Sequence, residues 1–163
     1  MEYKWHKDEE TILNVLSDKA FEMSEFHKQN YLQLQKQLKY YKIPVIVISG
    51  INSVVAVGLA DYMSQNIISA TNCILALVCG IIGSIELYLK ISENMNREFV
   101  SGRDLYLLHI DIKKTLALTP VNRNVDGDVY LTASYNKYIK NVANAQIMTG
   151  TGLAHNFEVV ELV

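Results

Sequence analysis

The chain has 163 residues, half of them apolar and 20% charged, with a formal net charge of −2 from 15 basic and 17 acidic side chains. At roughly 150 residues per domain this length suits a single domain, and the near-neutral balance excludes both a strongly basic nucleic-acid binder and an acidic disordered protein. An ordinary soluble domain carries about 25% charge, so charge is missing from some part of the chain. The two cysteines, Cys73 and Cys79, would lie about 9 Å apart along one helix, too far for a disulfide.

The first ten residues, MEYKWHKDEE, lack the apolar core of a cleavable signal sequence, so any membrane attachment is expected from the interior of the chain. Leu13, Leu16, Ala20, Met23, His27, Tyr31, Leu34, Leu38 and Tyr41 recur at steps of three and four. That spacing predicts an amphipathic helix over residues 1–42. Seven basic and seven acidic residues accompany it, a balance that suits packing against another helix better than lying on a lipid surface. His27 falls on the apolar stripe and is expected to be a packing residue.

Residues 43–60, IPVIVISGINSVVAVGLA, carry no charge, and residues 67–89, IISATNCILALVCGIIGSIELYL, carry one, Glu86. As helices they would measure about 27 and 34 Å, against a hydrocarbon core of about 30 Å. The six residues between them, DYMSQN, allow only a tight antiparallel turn. The expectation is a transmembrane helical hairpin over residues 43–89, in which helices satisfy their own backbone groups in lipid. Pro44 at the second position of the first span predicts a bend or break near Lys42–Ile43.

Small residues recur on both spans: Ser49, Ser53, Ala56 and Ala60 on the first, and Ser69, Cys73, Ala76, Gly80 and Gly83 on the second. Such a seam lets helix backbones approach closely in lipid. Folding the hairpin about its turn brings Asn52 and Asn72 within about one helical turn of each other, predicting an interhelical hydrogen bond worth about 0.6 kcal/mol. Glu86 is followed one turn later by Lys90, an expected i,i+4 pair, and with Lys42 these form an interfacial charge group. Lys28, Lys36, Lys39 and Lys42 precede the first span, Lys90, Arg97 and Arg103 follow the second, and the turn carries Asp61. The positive-inside rule therefore predicts both termini on the cytosolic, insertion side of the bilayer.

Residues 90–148 read as further helices on that side. The second span is expected to continue as a helix from Lys90 to Leu118, with one stripe through Ile91, Met95, Phe99, Gly102, Tyr106 and His109/Ile110 and another through Leu105, Leu108, Ile112 and Leu116. Thr119-Pro120 should end it. VNRNVDGDV is a turn-rich connector, and Val129–Ala145 reads as a shorter helix with Leu131, Tyr135, Tyr138, Ile139 and Val142 on one side. Residues 149–163 read as an extended tail. The predicted fold class is an all-α membrane protein: a hairpin flanked by long amphipathic helices.

No nucleophile motif, phosphate-binding glycine loop or metal quartet is visible. Asp126-Gly-Asp128 lacks the later glutamate of a calcium loop and reads as a turn, and His6, His27, His109 and His155 are scattered. The expectation is a protein without catalytic, cofactor or metal residues.

The run IPVIVISGINSVVAVG, the Tyr41-x-x-Pro44 entry, the short turn, the Ser92-Glu93 exit and the helix carrying Tyr106, Leu108 and Leu116 resemble SLATT-type proteins over about residues 36–118. Versions in large DNA viruses are similar in the Tyr135-Asn-Lys-Tyr-Ile139 segment as well. The resemblance implies two transmembrane helices, a lipid bilayer as partner and homo-oligomerisation. It leads to two expected functions. One is a structural membrane protein that assembles with itself or with an overlying shell, such as a minor capsid protein of a virion with an internal membrane. The other is an oligomeric pore-forming effector, the role implied for bacterial members.

Overall fold

The computed structural model describes residues 4–58 and 62–148. They form four helices, α1 (Lys7–Gly58), α2 (Gln65–Tyr88), α3 (Ile91–Ala117) and α4 (Gly127–Met148), with a 3-10 turn at Pro120–Asn122 and no strand among the described residues. Contacts divide them into two compact units. One joins residues 4–28 to residues 97–148, and the other is Gln29–Asn96. The tail at 149–163, Ala60 and Asp61 lie outside the described residues.

Local chemistry explains the helix starts. Asp8, Glu9 and Glu10 occupy the first turn of α1, where negative charge complements the helix dipole. The Glu9 carboxylate accepts the His6 N–H at 2.8 Å, one half of a capping box. α1 then runs unbroken through Pro44, so of the bend or break expected near Lys42–Ile43 the break does not occur. Proline deletes a single hydrogen bond, and Pro44 and Val45 are half-buried in the second unit; packing there holds the helix across the defect.

The reverse occurs at the end of α2. Residues 67–118 were expected to run as one helix through Lys90, but the helix stops at Tyr88 and Lys90 adopts φ 50° before α3 begins. The left-handed conformation costs a residue with a Cβ about 1 kcal/mol. The segment LYLKIS contains neither glycine nor proline; the break is imposed by tertiary structure and turns Ile91 into a buried position, 4% exposed.

The first unit is a water-type bundle of the N-terminal part of α1 with α3 and α4. Leu13, Leu16, Ala20, Leu108 and Ile112 form its core, with Leu131, Tyr135 and Tyr138 from α4 packed against it. Polar pairs set an antiparallel register of α1 on α3: Lys113 with Asn14 and Asp18, His109 with Ser17, and Glu98 with His27. The closest approach is at Gly102, where a Cβ would meet His27 Cβ and the Ser24 carbonyl at 3.3 Å each. Of the two stripes expected on α3, Leu105, Leu108 and Ile112 are buried as predicted, while the other is divided: Ile91 and Gly102 are buried, Met95 and His109 half-buried, and Phe99, Tyr106 and Ile110 exposed.

A clasp closes the bundle at its N-terminal edge. Arg123, 4% exposed, donates to the Leu116 and Leu118 carbonyls at 3.1 and 3.0 Å, pairs with Glu10 and stacks 4.2 Å over the Trp5 ring. Trp5 Nε1 donates to the Val125 carbonyl, the Lys4 N–H to Asp126 Oδ1, and the Gly127 N–H to the Lys4 carbonyl. The guanidinium thus satisfies carbonyls that the end of α3 would otherwise leave open. Gly127 has no spare volume, since Glu9 and Trp5 occupy the place of a Cβ.

Candidate membrane-spanning hairpin

The second unit contains the apolar runs. Two helices are long and apolar enough to cross a bilayer, and the share of their apolar windows buried in the protein is 0% for α1 and 6% for α2. Ile43, Ile46, Val47, Ile51, Val54 and Val57 on α1 are exposed, as are Ile67, Ile74, Leu77, Ile81 and Ile85 on α2. Core helices of a soluble protein hide such residues. Here the hairpin hides one narrow seam and presents the rest outward.

The seam follows heptad-like spacing. Tyr31, Leu34, Leu38, Tyr41, Ile48 and Val55 are half-buried on α1, and Ile68, Leu75, Cys79 and Ile82 are buried or half-buried on α2. Cys79 Sγ lies 3.9 Å from both Ser49 Oγ and the Val45 carbonyl, across the pair, and both cysteines are free thiols. The small residues sit differently from the expectation that they line this seam. Ser49, Ser53 and Ala56, and Ser69, Cys73, Ala76 and Gly80, are all exposed, and only Gly83 is half-buried. Ala76, Gly80 and Ser84 instead floor a shallow outward groove edged by Leu77, Ile81 and Tyr88. Bulkier residues fill most of the α1–α2 contact, and apart from Ser49, which meets Cys79, and Gly83 the small ones are exposed.

Asn52 and Asn72 do turn inward, but each buries a side-chain carbonyl oxygen with no hydrogen-bond donor, so the predicted amide–amide bond is not made. Proximity in register did not supply the geometry that a hydrogen bond requires. Ser53 and Ser84 return their hydroxyls to the carbonyls one turn back, Ser49 and Gly80. The Glu86–Lys90 pair is also absent. Lys90 is turned out of the helix by its backbone, and Glu86 accepts a 2.6 Å bond from the Ser92 hydroxyl instead. Lys42 and Lys90 are exposed.

Exposed tyrosines mark the ends of the apolar surface. Tyr40 and Tyr88 are 80% and 86% exposed at the lysine end, and Tyr62 is 83% exposed at the turn. From Tyr40 to the end of α1 is about 27 Å, the scale of a hydrocarbon core, and amphipathic rings favour its two boundaries.

In the bundle, polar side chains act as bolts between helices. His27 Nδ1 meets Glu98 at 2.8 Å with both side chains largely buried, and His109 Nδ1 lies 2.9 Å from both the Ser17 hydroxyl and the Ser17 carbonyl. Burial, with Asp111 beside it, pushes the Tyr130 phenol above its usual value against a hydrogen bond from Thr115, and burial likewise raises Tyr138. Among the described residues no group of three or more His, Cys, Asp or Glu lies close enough to hold a metal. The Arg123–Trp5–Glu10 clasp was not foreseen; the only sequence signal is an arginine three residues after a helix-ending proline.

No family model matches the chain, and no solved structure does. It is similar to a protein of Micromonas pusilla reovirus (isolate Netherlands/2005), described as uncharacterized protein VP11, with 25% identity over 154 residues covering 94% of this chain and 79% of that one. This relationship is to a viral protein and spans both structural units.

Proposed function

We propose that the protein is a non-enzymatic integral membrane structural protein, anchored in a bilayer by the α1–α2 hairpin, with a helical bundle outside the membrane that assembles with itself or with an overlying protein shell. The observation that carries this reading is that almost none of the two apolar windows is fully buried in the protein, with most of their isoleucines, valines and leucines exposed. Water would penalise that surface at roughly 25 cal/mol per Å², and acyl chains would not. Exposed tyrosines at both ends of the apolar surface, Tyr40 and Tyr88 at one and Tyr62 at the other, support the same reading. The basic residues set both termini on the insertion side. The exposed small residues Ser53, Ala56, Ser69, Cys73, Ala76 and Gly80 offer copies of the chain a close-packing face.

A viral relative across nearly the full chain supports a place in a virion, as a membrane or minor capsid component, and the hairpin organisation is SLATT-like. The competing reading, an oligomeric pore, draws less support: the two amides able to line a polar path, Asn52 and Asn72, turn into the hairpin. Alkaline carbonate extraction and liposome flotation of the full chain test the anchor. A pelleted, floating protein is the expected result, and a monodisperse detergent-free species in the supernatant would overturn it. Dye-release from liposomes at high protein density separates the two roles, since a structural anchor leaves them tight.

A further inference from the structure

Across residues 1–42 acidic and basic side chains balance, yet they are mixed only in its first part. Every acid of that segment lies at or before Glu25, and residues 26–60 contain none. Lys36, Lys39 and Lys42 follow one another on α1 directly before the apolar run, and Lys90 stands beyond the end of α2. All four are exposed, and none forms an ion pair among the described residues. In the bundle Lys19, Lys28, Arg103, Lys113 and Arg123 are paired with acids, while the exposed Lys114 and Lys137 there stand apart from one another in the sequence. The one acid within the neighbouring turn of α2, Glu86, is half-buried and held by Ser92. At the opposite end of the hairpin the sequence places Asp61 and no base.

We infer that this lysine collar binds anionic lipid headgroups, drawing negatively charged lipid to the side of the bilayer that holds both termini. The inference rests on the hairpin reading above. Lys36 to Lys42 spans about 9 Å along the helix, comparable to the roughly 5–8 Å that headgroups add to each side of the hydrocarbon core. Steps of three residues fan the ammonium groups around one sector of α1, and each is a flexible point charge suited to phosphate. Tyr40 and Tyr41 lie among them at the interfacial level.

The full chain reconstituted in phosphatidylcholine vesicles, probed with spin-labelled phosphatidylglycerol or spin-labelled phosphatidylcholine, measures the preference directly. A single lysine near an anionic surface is worth about fivefold in partitioning, so a preference for phosphatidylglycerol of about that size is expected. It should fall toward unity in Lys36→Gln/Lys39→Gln/Lys42→Gln and in about 1 M salt, where the Debye length is about 3 Å. Lys114→Gln, an exposed lysine of the bundle, should leave it unchanged. Equal association of both lipids with the wild type, or an equal loss with Lys114→Gln, overturns the inference. So does erasure of the preference by inorganic phosphate at constant ionic strength, which would assign the site to a free anion. Failure to float with either lipid would instead remove the hairpin reading beneath it.

Discussion

The bundle and the hairpin are built from the same kind of helix and obey opposite rules. In the bundle, Leu13, Leu105 and Ile112 are fully buried, and buried polar groups such as Ser17 and Arg123 find partners across helices, with His27 Nε2 the exception. In the hairpin most of the isoleucines and valines face out, while two amide oxygens face in without a donor. Water rewards the first arrangement. The second suits the proposed bilayer, a solvent in which exposed apolar surface would cost nothing and helices would hold together by packing. α1 passes from one arrangement to the other without interruption, so the change is written in side chains rather than in secondary structure.

The largest test of this contrast puts charge on the outward hairpin face. Ile51→Asp with Ile81→Asp alters two exposed residues. On a soluble helix pair such changes would be neutral or would improve solubility. In a bilayer each costs about 2.5–3.5 kcal/mol at the helix centre, so the carbonate-resistant fraction should collapse. Retention of membrane integration by the double variant would break the proposed distinction.

Arg123→Ala should give the largest loss on the bundle side, about 3 kcal/mol, because it strands Glu10 and opens the α3 carbonyls. Trp5 is the only tryptophan of the chain, so its emission should shift to the red as the clasp opens, alongside a lower thermal midpoint. Arg123→Lys should rescue little, since an ammonium lacks the planar fork and the stacking face. An unchanged Trp5 spectrum would show that the stack contributes nothing to the bundle.

Asn52→Leu and Asn72→Leu should act in the opposite direction. Each removes a buried acceptor that has no donor, a defect that costs about 1–3 kcal/mol, so each variant should raise the denaturation midpoint of the hairpin in detergent. Destabilisation by either would mean that the amide is bonded in the membrane, to its counterpart or to another copy of the chain.

The outcome of these comparisons bears on how the sequence could be read. Burial of Leu13, Leu16, Ala20 and His27, the Thr119-Pro120 stop and the apolar hairpin were legible because they rest on periodicity and on proline, which act locally. Which side of the spans faces inward was not. When every face of a helix is apolar, a rotation of one residue step exchanges Ser49 and Ala56 for Ile48 and Val55, and periodicity does not choose between them. Arg123 looked like a solvated turn residue, because its partners Glu10 and Trp5 are more than 110 residues away. The left-handed Lys90 carried no signal, since the usual glycine is missing.

That missing glycine gives a smaller prediction. Lys90→Gly relieves the φ 50° conformation and should stabilise the α2–α3 junction by about 1 kcal/mol or less, offset in part by the freedom glycine adds to the unfolded chain. Lys90→Val should do the reverse, as a branched Cβ tolerates positive φ least. Equal midpoints for the two variants would mean that the junction relaxes without the left-handed turn.

The smallest effect expected lies in the bundle at high pH. Tyr130 accepts a hydrogen bond from Thr115, donates one to Asp111 and is half-buried; burial above all holds its phenol protonated beyond the usual pKa of 10.0. An unfolded chain releases that proton near pH 10, while the folded chain keeps it. The stability contributed by this difference is therefore complete below pH 10 and is lost as pH rises through the higher folded value. Partial exposure keeps it modest. Tyr130→Phe gives up the two hydrogen bonds at neutral pH, about 1 kcal/mol, but has no phenol to titrate. The stability gap between wild type and Tyr130→Phe should accordingly narrow above pH 10, read from urea midpoints at successive pH values. A gap that stays constant or widens would mean that the phenol ionises as readily in the bundle as in the unfolded chain, or more readily.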